Sequence, residues 1–472
     1  MKKTFIKTSL LLLPLLLSSC TPPLWFIEKE DPTDYGERQQ LTFYHLWQRG
    51  ATGYNDINNL IKEFNASEAA KKYNVYVKGN GVNFWDYWDK VNLAISGGTA
   101  PDIYLHTVSD VALRSRYDLD LTAMYEDDLS KNVESLDANE LFFQTQINDI
   151  SKYNKDGHMT AWPFSATVRL IYYNKTMFDQ AGITTLPTTW SEMEEVSKKL
   201  TEYNEPGNES SGYKTVGWDP FTGEGQYIHQ WGWLSGHSFW SEDATGHPVP
   251  HFTDQSLIDN LSYLYNDSYV RRDKTARDNL EQFMSDVGKT GADPFVSGKL
   301  GMVVGNEGLV TKLREAKVNF EYGVFEMPTL NDSIESTNWS SSYSIELYDN
   351  THRNVSEEVA NQRNHGSWEF LKFLYTKEAQ KIVSSTGFLI ATKKYYPEIV
   401  DVDPIMSEIA KAVSHTREAE YYDAVPKWTS DIQVYVNSVS SYKMSVEAAM
   451  NESQNLMESK IKQYYSTQEG GK

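Results

Sequence analysis

The segment Gly97-Gly98-Thr99-Ala100-Pro101-Asp102-Ile103 predicts a tight turn followed by the first residues of a buried strand. Gly97 and Gly98 permit the turn because glycine adopts backbone conformations that other residues avoid. Pro101 keeps the chain extended, and the apolar run that continues to His106 is typical of a strand. In an open α/β sheet the ligand crevice lies beyond the carboxyl ends of the strands. Side chains at and after His106 are therefore candidates for a binding site.

Strand and helix signals alternate on both sides of this segment. β-Branched and aromatic runs predict strands, and apolar residues three and four positions apart predict helices. The order favours an α/β fold with parallel sheets and helices on both faces, and the length of the chain implies two or more domains. The predicted strands are residues 41–47, 74–78, 102–106, 170–173, 299–304 and 322–327; the predicted helices are residues 57–64, 85–95, 190–200 (capped by Thr189 or Ser191), 355–375, 402–422 and 446–465; and residues 204–213 and 218–250 are predicted loops.

The charge and the cysteine content exclude several functions. The chain has 472 residues, 44 of them Lys or Arg and 65 of them Asp or Glu, for a net charge of −21. Such a charge repels nucleic acid and anionic lipid, so nucleic acid is not expected as a partner. The single cysteine, Cys20, excludes an internal disulfide, and its acylation would exclude a thiolate metal site or a cysteine nucleophile.

The N-terminus resembles a bacterial lipoprotein signal. Three lysines precede the apolar run from Leu10 to Leu17, which is too short for a bilayer span of about 20 residues. Small residues then lead to Cys20, where lipoproteins carry their acyl chains. The resemblance implies a signal peptide over 1–19, a lipidated tether over 20–40, and a protein anchored by lipid to the cell membrane on its extracytoplasmic side. An ordinary cleaved signal with an unrelated cysteine is the alternative.

Aromatic residues are abundant in an otherwise polar chain. There are 13 Trp, 30 Tyr and 19 Phe residues, yet the mean hydropathy is −0.55. Most of these rings are expected to pack in the core, Trp85, Trp88, Trp162, Trp190 and Trp368 among them. The remainder fits a polar cleft with flat walls, because aromatic faces cover the C–H patches of a sugar while polar groups bind its hydroxyls.

Several segments resemble, in family order, the motifs of extracellular solute-binding proteins that serve ABC importers. Beyond the opening segment they are residues 171–182 (IYYNKTMFDQAG), 187–193 (PTTWSEM), 295–302 (FVSGKLGM) and 368–374 (WEFLKFL). Gly301 stands where that family usually has alanine. The similarity is to the carbohydrate-binding branch, in which maltodextrin binders are best known.

The resemblance implies a two-lobed, type II periplasmic-binding-protein fold whose lobes close around a ligand. It places residues 41–162 plus about 328–385 in lobe 1, and residues 163–327 plus about 386–472 in lobe 2, with crossing strands near 162–168, 322–328 and 385–390. The implied function is that of a monomeric, non-enzymatic protein that captures a carbohydrate and delivers it to a permease. Within that class, an oligosaccharide is the expected ligand. No cofactor and no metal are expected.

Transferring the family's cleft positions to this sequence gives a set of candidate ligand-binding residues. His106 stands where maltodextrin binders place an aromatic residue, Thr167 replaces a carboxylate, and Asn306 with Glu307 replaces an aromatic residue. Each tryptophan in the set has a core role as its alternative, and each charged residue a surface role or an interlobe pair. The candidates are Trp47, Gln48, Arg49, His106, Ser109, Asp110, Thr167, Trp218, Asp219, Tyr227, Trp231, Trp233, Asn306, Glu307, Trp339 and Trp428.

Other functional classes are the alternatives. A lipid-anchored glycan hydrolase also lines its cleft with tryptophan and uses two carboxylates, but 65 acidic residues make any such pair uninformative. The sequence has no Gly-x-Ser-x-Gly, His-Glu-x-x-His or Walker A motif. His237 and His247 lack a third ligand, so they do not predict a metal site. A surface adhesin, or a binder of a non-sugar solute, are further alternatives.

Overall fold

The computed structural model describes residues 33–131, 137–151, 158–291 and 293–470. Cys20, the expected signal peptide and most of the expected tether lie outside the described residues. The described residues from Gln39 onwards form one compact unit. In the described part of the chain, no helix has both the length and the apolar character needed to cross a membrane.

The strands of this unit are β1 (Gln39–His45), β2 (Val75–Gly81), β3 (Ile103–Thr107), β4 (Ala161–Pro163), β5 (Ser165–Ala166), β6 (Leu170–Asn174), β7 (Glu202–Glu205), β8 (Asn208–Gly223), β9 (Trp240–Glu242), β10 (Pro248–Pro250), β11 (Leu300–Gly305), β12 (Tyr322–Phe325), β13 (Asn338–Trp339), β14 (Tyr343–Leu347), β15 (Leu389–Ile390) and β16 (Thr416–Arg417).

The α-helices are α1 (Tyr54–Ala66), α2 (Glu68–Lys72), α3 (Phe84–Ser96), α4 (Val111–Arg114), α5 (Thr122–Ser130), α6 (Ala138–Leu141), α7 (Gln144–Ser151), α8 (Lys175–Gln180), α9 (Trp190–Leu200), α10 (Ile228–Leu234), α11 (Gln255–Ser262), α12 (Lys274–Gly288), α13 (Gly308–Glu315), α14 (Glu357–Leu374), α15 (Lys377–Ser385), α16 (Tyr396–Ile399), α17 (Pro404–Lys411), α18 (Trp428–Asp431), α19 (Gln433–Ser440) and α20 (Val446–Gly470).

The first sheet has the strand order β2-β1-β3-β14-β4. Strand β1 runs parallel to β2 and to β3, whereas β14 is antiparallel to its neighbours β3 and β4. The carboxyl ends of β1, β2 and β3 therefore share one edge, the edge at which open sheets place ligands. The antiparallel β14 makes the sheet mixed, whereas a parallel sheet was expected from the sequence.

The second sheet has the order β12-β6-β11-β8-β7. Strands β8 and β11 are parallel, and the other pairings are antiparallel. Strand β11 is buried throughout and lies in the middle of this sheet. The start of α13, three residues beyond β11, thus lies at the carboxyl end of a central strand.

Three segments of chain run between the sheets. The first leads from β4 to β6 and contains β5, and the second leads from β12 to β14 through residues 326–342. The third leaves α15, which packs on α1, and reaches α17, which packs on β12; its strand β15 pairs antiparallel with β5.

Two helices agree closely with their sequence patterns. In α1, Ile57, Leu60, Ile61 and Phe64 are all buried, as an amphipathic helix requires. Helix α9 spans the predicted residues, and Thr189 caps it: its hydroxyl accepts a bond from the Glu192 N–H while the Glu192 side chain bonds back to the cap.

Three predicted elements were wrong. Residues 204–213 contain the turn and parts of both strands of the β7–β8 hairpin, and the largely exposed, polar residues of this part give no hydrophobic alternation. Residues 218–250 contain α10 and the β9–β10 hairpin; all seven residues of α10 are buried, and a helix buried all round shows no period. The helix predicted over 402–422 is shorter in the structure: α17 ends at Lys411 because the chain beyond it pairs as β16 with β13.

The tryptophans expected to pack divide into two groups. Trp162, Trp190 and Trp368 are buried, in agreement with that expectation. The expectation for Trp85 was wrong, because 83% of its surface is exposed at the start of α3. Nearby Trp88 is half-buried and faces the edge of the first sheet.

Candidate functional site

Side chains from several parts of the chain meet where the end of β3, the start of α13 and the segments between the sheets come together. We call this group the junction site. Its members are Trp88, His106, Thr167, Arg169, Tyr227, Glu307, Trp339, Tyr343 and Glu418.

Arg169 lies between two aromatic rings of the junction site. Its guanidinium carbon is 4.0 Å from the ring centre of Trp339 and 5.2 Å from that of Tyr227. The guanidinium also donates to the Trp339 carbonyl oxygen at 2.9 Å, to the Ser341 hydroxyl at 3.0 Å and to the Glu224 carboxylate at 3.1 Å. The side chain is 3% exposed, so these cation–π and charge-assisted contacts act with little screening.

Glu307 occupies the cap position of α13 and faces the first connecting segment. The Thr167 hydroxyl donates to Glu307 Oε1 at 3.1 Å, and the Val168 N–H donates to Oε2 at 3.4 Å. Burial raises the pKa of Glu307 to about 7, although these hydrogen bonds oppose the shift. Near neutral pH this carboxyl therefore serves as either a donor or an acceptor.

Glu418 follows β16 and anchors the second connecting segment. It accepts hydrogen bonds from the Trp339 indole N–H at 3.1 Å, the Ser340 hydroxyl at 2.7 Å and the Ser342 N–H at 3.1 Å. Burial raises the pKa of Glu418 to about 7, and the nearby charge of Asp149 adds to the shift. The bond from Trp339 holds the indole that stacks on Arg169.

The first sheet contributes aromatic surface and a buried histidine. The Trp88 ring lies 5.0 Å from His106 and is stacked 5.5 Å from Tyr343. Burial lowers the pKa of His106 well below its usual value, so the imidazole is neutral. Asp110 lies 3.8 Å from its Nδ1 atom. Apart from the Asp110 carboxylate, this side of the junction site is thus a neutral aromatic surface.

Buried N–H and ring-nitrogen atoms around the junction site have no hydrogen-bond partner among the described residues. A buried polar atom left without a partner costs about 1–3 kcal/mol, so native proteins rarely retain one without a reason. These atoms are therefore candidates for bonds to a ligand's hydroxyl groups. They are Trp47 Nε1, His106 Nε2, Arg169 Nε, His229 Nε2 and Trp233 Nε1.

The charge balance of the junction site is acidic. The positive charge of Arg169 opposes the rise in the pKa of both Glu307 and Glu418 that burial causes, and Glu224 pairs with Arg169 directly. Three carboxyl groups thus interact electrostatically with this guanidinium, and one of them contacts it. In the part of the chain that the structure describes, no cluster of three or more metal-ligating side chains occurs. The arrangement suits a neutral, hydroxyl-rich ligand better than an anion.

Five of the residues predicted from the sequence belong to the junction site, and a sixth, Asp110, lies beside it. Thr167 contacts Glu307, Tyr227 contacts Trp339 edge-on with ring centres 4.5 Å apart, and His106 lies near Asp110. Ser109 and Asp110 also line a small cavity of about 40 Å³ beside Lys427 and Trp428.

Other predicted tryptophans lie in the core. Trp218 and Trp231 pack edge-on with ring centres 6.1 Å apart, and Trp428 packs against Phe239 and Phe252. Trp47 lies between Phe164 and Phe388, and Trp233 is covered by Arg417 at 4.3 Å. Among the described residues, the indole N–H groups of Trp47 and Trp233 have no partner, whereas Trp231 donates its N–H to the Gly225 carbonyl oxygen. The Trp47 ring reaches Tyr343 of the junction site through Phe388, and the Trp233 ring reaches Trp339 through His229.

The remaining predicted residues have other surroundings. Asp219 forms a buried, two-bond ion pair with Arg271, at 2.6 and 3.2 Å. Arg49 is exposed and Gln48 is half-buried beyond β1. Asn306 uses its carbonyl oxygen to accept from the Tyr172 hydroxyl and its side chain to cap the Gly308 N–H.

The sequence reasoning missed several residues of the junction site. Arg169 lies two residues after the predicted Thr167, and its position in the same connecting segment was a signal that could have found it. Glu418 gave no signal, because its partners lie 76 to 79 residues away in the chain. Tyr343 and Trp88 were not distinguished from packing aromatics.

Comparisons with known proteins identify the family and the fold. The profile of a family described as bacterial extracellular solute-binding protein matches residues 59–408. A putative binding protein of Brucella abortus is 25% identical over 299 residues, which cover 61% of this chain and 63% of that protein. The sn-glycerol-3-phosphate-binding periplasmic protein UgpB of the same organism is 23% identical over 371 residues, 75% of each chain. The match to the putative binding protein thus covers less than two thirds of that protein's length.

Solved structures share the fold at low identity. CpMnBP1 with mannotriose bound has a TM-score of 0.68 at 18% identity, covering 89% of this chain and all of that one. An ABC substrate-binding protein from Listeria monocytogenes in complex with cycloalternan has a TM-score of 0.67 at 18% identity. The match covers 90% of this chain and 99% of that one. The fold is therefore the two-lobed, type II fold of periplasmic binding proteins, and the chain belongs to the family of bacterial extracellular solute-binding proteins.

Proposed function

We propose that this protein is the solute-binding component of an ABC importer and that it captures an oligosaccharide in the junction site. The observation that carries the proposal is the pairing of flat aromatic faces with buried polar atoms. Trp88, Tyr227, Trp339 and Tyr343 supply the faces, and unpartnered nitrogens such as Arg169 Nε and His106 Nε2 supply hydrogen bonds. The mannotriose and cycloalternan complexes of structural neighbours support a sugar as the ligand.

The charge of the junction site favours a neutral sugar over a phosphate ester. One relative is named for sn-glycerol 3-phosphate, an anion. Here the Arg169 guanidinium already pairs with Glu224, and the carboxyl groups of Glu307 and Glu418 lie close by. A phosphate group would meet repulsion from the Glu224 carboxylate and from Glu307 and Glu418 in their ionised forms, because like charges at short distance are costly in a buried site.

The segments between the sheets would serve as the hinge. We assign residues 41–162 plus about 328–385 to lobe 1, and residues 163–327 plus about 386–472 to lobe 2. Thr167 and Arg169 lie in the first connecting segment, and Trp339 lies in the second. Because both segments contribute to the junction site, ligand contacts would favour the closed arrangement of the lobes.

The anchor and the partners belong to the same proposal. Acylation of Cys20 would hold the protein at the membrane surface, on the extracytoplasmic side, and the tether over 20–40 would let it reach a permease. The protein would act as a monomer and without catalysis. A hydrolase would need two carboxyl groups set across a glycosidic bond, whereas Glu418 is occupied by three hydrogen bonds from the protein itself.

A thermal-shift screen tests the proposal. A ligand at 100 times its Kd stabilises the folded protein by about 2.7 kcal/mol, which is readily measured as a rise in Tm. We expect a rise with oligosaccharides and none with sn-glycerol 3-phosphate. A rise with the phosphate ester, a peptide or a polyamine alone would contradict a sugar ligand. Release of reducing ends from a bound oligosaccharide would contradict a non-enzymatic role.

A further inference from the structure

An aromatic chain leads from the junction site to the protein surface. Tyr343 stacks on Trp88 at 5.5 Å, and Trp88 meets Phe84 edge-on at 5.9 Å. Phe84 in turn meets Trp85 edge-on at 5.3 Å. The rings form a continuous series of contacts that begins inside the candidate site and ends in solvent.

The outer two rings are exposed to an unusual degree. Trp85 is 83% exposed and Phe84 is 43% exposed. Large apolar side chains that lie side by side on a surface mark an interaction site more often than scattered ones do. Trp85 packs against Phe84 without being covered by it, so it contributes little to the core.

The position of these rings follows from the sheet. Strand β2 is parallel to β1, which is parallel to β3, so all three end at the edge that holds the junction site. Helix α3 begins three residues after β2 ends. The first turn of α3 is therefore placed at the rim of that edge, with Trp88 turned inward and Trp85 outward.

The first turn of α3 is also held in place. The Asn83 side chain accepts a hydrogen bond from the Trp85 N–H at 2.9 Å and caps the helix. The Tyr87 hydroxyl donates to the Tyr44 carbonyl oxygen at 2.8 Å and accepts from the Leu105 N–H at 3.0 Å. These bonds tie α3 to β1 and β3, so the exposed rings stand on a fixed base.

We propose that Trp85 and Phe84 form an outer stacking surface for sugar units that extend beyond the junction site. The inference rests on the proposed function and narrows it: the ligand is a long oligosaccharide, with inner units in the junction site and outer units on Trp85. A fixed indole face suits this role because it covers the C–H face of a pyranose without ordering a mobile side chain.

Paired titrations of short and long sugars test the outer surface. The trisaccharides and hexasaccharides of the mannose and maltose series are titrated into the full-length protein and into its Trp85→Ala variant by calorimetry. We expect Trp85→Ala to weaken hexasaccharide binding about tenfold, equivalent to roughly 1.4 kcal/mol, and to leave trisaccharide binding unchanged. Trp85→Phe should retain most of the hexasaccharide affinity.

Leu93→Ala is the matched control. Leu93 lies in the same helix and is 72% exposed, but no aromatic contact links it to the junction site within the described structure. Leu93→Ala should leave the affinities for trisaccharides and for hexasaccharides unchanged. Equal weakening of both sugar lengths by Trp85→Ala would overturn the outer surface and assign Trp85 to the inner site or to the stability of α3.

The remaining outcomes separate this inference from the proposed function. If the wild-type protein binds hexasaccharides and Trp85→Ala binds them equally well, only the outer surface is overturned, and a protein partner becomes the occupant to seek for the exposed rings. If the wild-type protein binds none of the four sugars while another class of solute raises its Tm, the proposed function fails and the outer surface fails with it.

Discussion

The guanidinium carbon of Arg169 lies 4.0 Å from the ring centre of Trp339, while the Trp339 indole N–H donates to Glu418 at 3.1 Å. Arg169 belongs to the first connecting segment and Trp339 to the second. The contact therefore joins the two segments that would act as the hinge. A ligand that binds beside this pair would contact both segments at once.

Trp339→Ala should weaken ligand binding about thirtyfold, because it removes one aromatic face and the cation–π contact of Arg169, each worth about 1 kcal/mol and together about 2 kcal/mol. Calorimetric titration with the sugar that raises Tm most measures the change. Trp231→Phe is the control, since Trp231 is fully buried and donates to Gly225 in the core. That variant should lower the free energy of unfolding and leave Kd unchanged. The reverse pattern would place the binding site at Trp231.

Asp219→Asn should lower the free energy of unfolding by about 3 kcal/mol, because it leaves the buried Arg271 guanidinium without its counter-charge. Denaturant titration measures the loss, and Asp219→Ala combined with Arg271→Ala in a double-mutant cycle measures the coupling. Sugar affinity should be unchanged, since both carboxylate oxygens already bond to Arg271. Loss of affinity with stability intact would restore Asp219 as a ligand contact.

Glu307→Gln should stabilise the protein relative to the wild type, and this gain in the free energy of unfolding should be larger at pH 8 than at pH 5. Burial raises the pKa of Glu307 from 4.5 to about 7, so the folded state binds this proton more tightly than the unfolded state. Its contribution to stability is therefore full below pH 4.5 and is lost as the pH rises towards 7. Gln stays neutral and should recover up to about 3 kcal/mol above pH 7.

Glu195→Gln serves as the control for this pH dependence. Lys198 lowers the pKa of the exposed Glu195, so its neutral variant should show no gain at pH 8. The unfolding free energy of each variant is measured by denaturant titration between pH 5 and pH 8. An equal gain in both variants would indicate relief of the general negative charge rather than of a buried carboxyl.

Cys20→Ala should move the protein from the membrane fraction to the soluble fraction, because acyl chains could no longer be attached at this position. Fractionation and metabolic labelling with a radioactive fatty acid measure the change. Sugar affinity should be unaffected, since the binding residues lie far along the sequence in the unit that begins at Gln39. Continued labelling of the variant would show that the lipid is carried elsewhere or that the signal was misread.

The sequence by itself determined the elements with a strong local signal. The spacing of Ile57, Leu60 and Phe64 predicted the buried face of α1, and Thr189 was one of the two residues predicted to cap the start of α9. Both signals depend only on residues a few positions apart, so they can be recognised in the sequence without the structure. The ordered family motifs likewise predicted the two-lobed fold, which the structural comparisons confirmed.

Only the tertiary structure decided which side chains form the candidate site. Asp219 looked like a cleft residue until the fold placed Arg271, 52 residues away, against it. Trp85 looked like a packing residue, but α3 turns it into solvent. Burial and charge pairing depend on contacts between distant parts of the chain, and these contacts also set the raised pKa values of Glu307 and Glu418. Local patterns fix the helices and strands, whereas three-dimensional packing fixes the chemistry of their side chains.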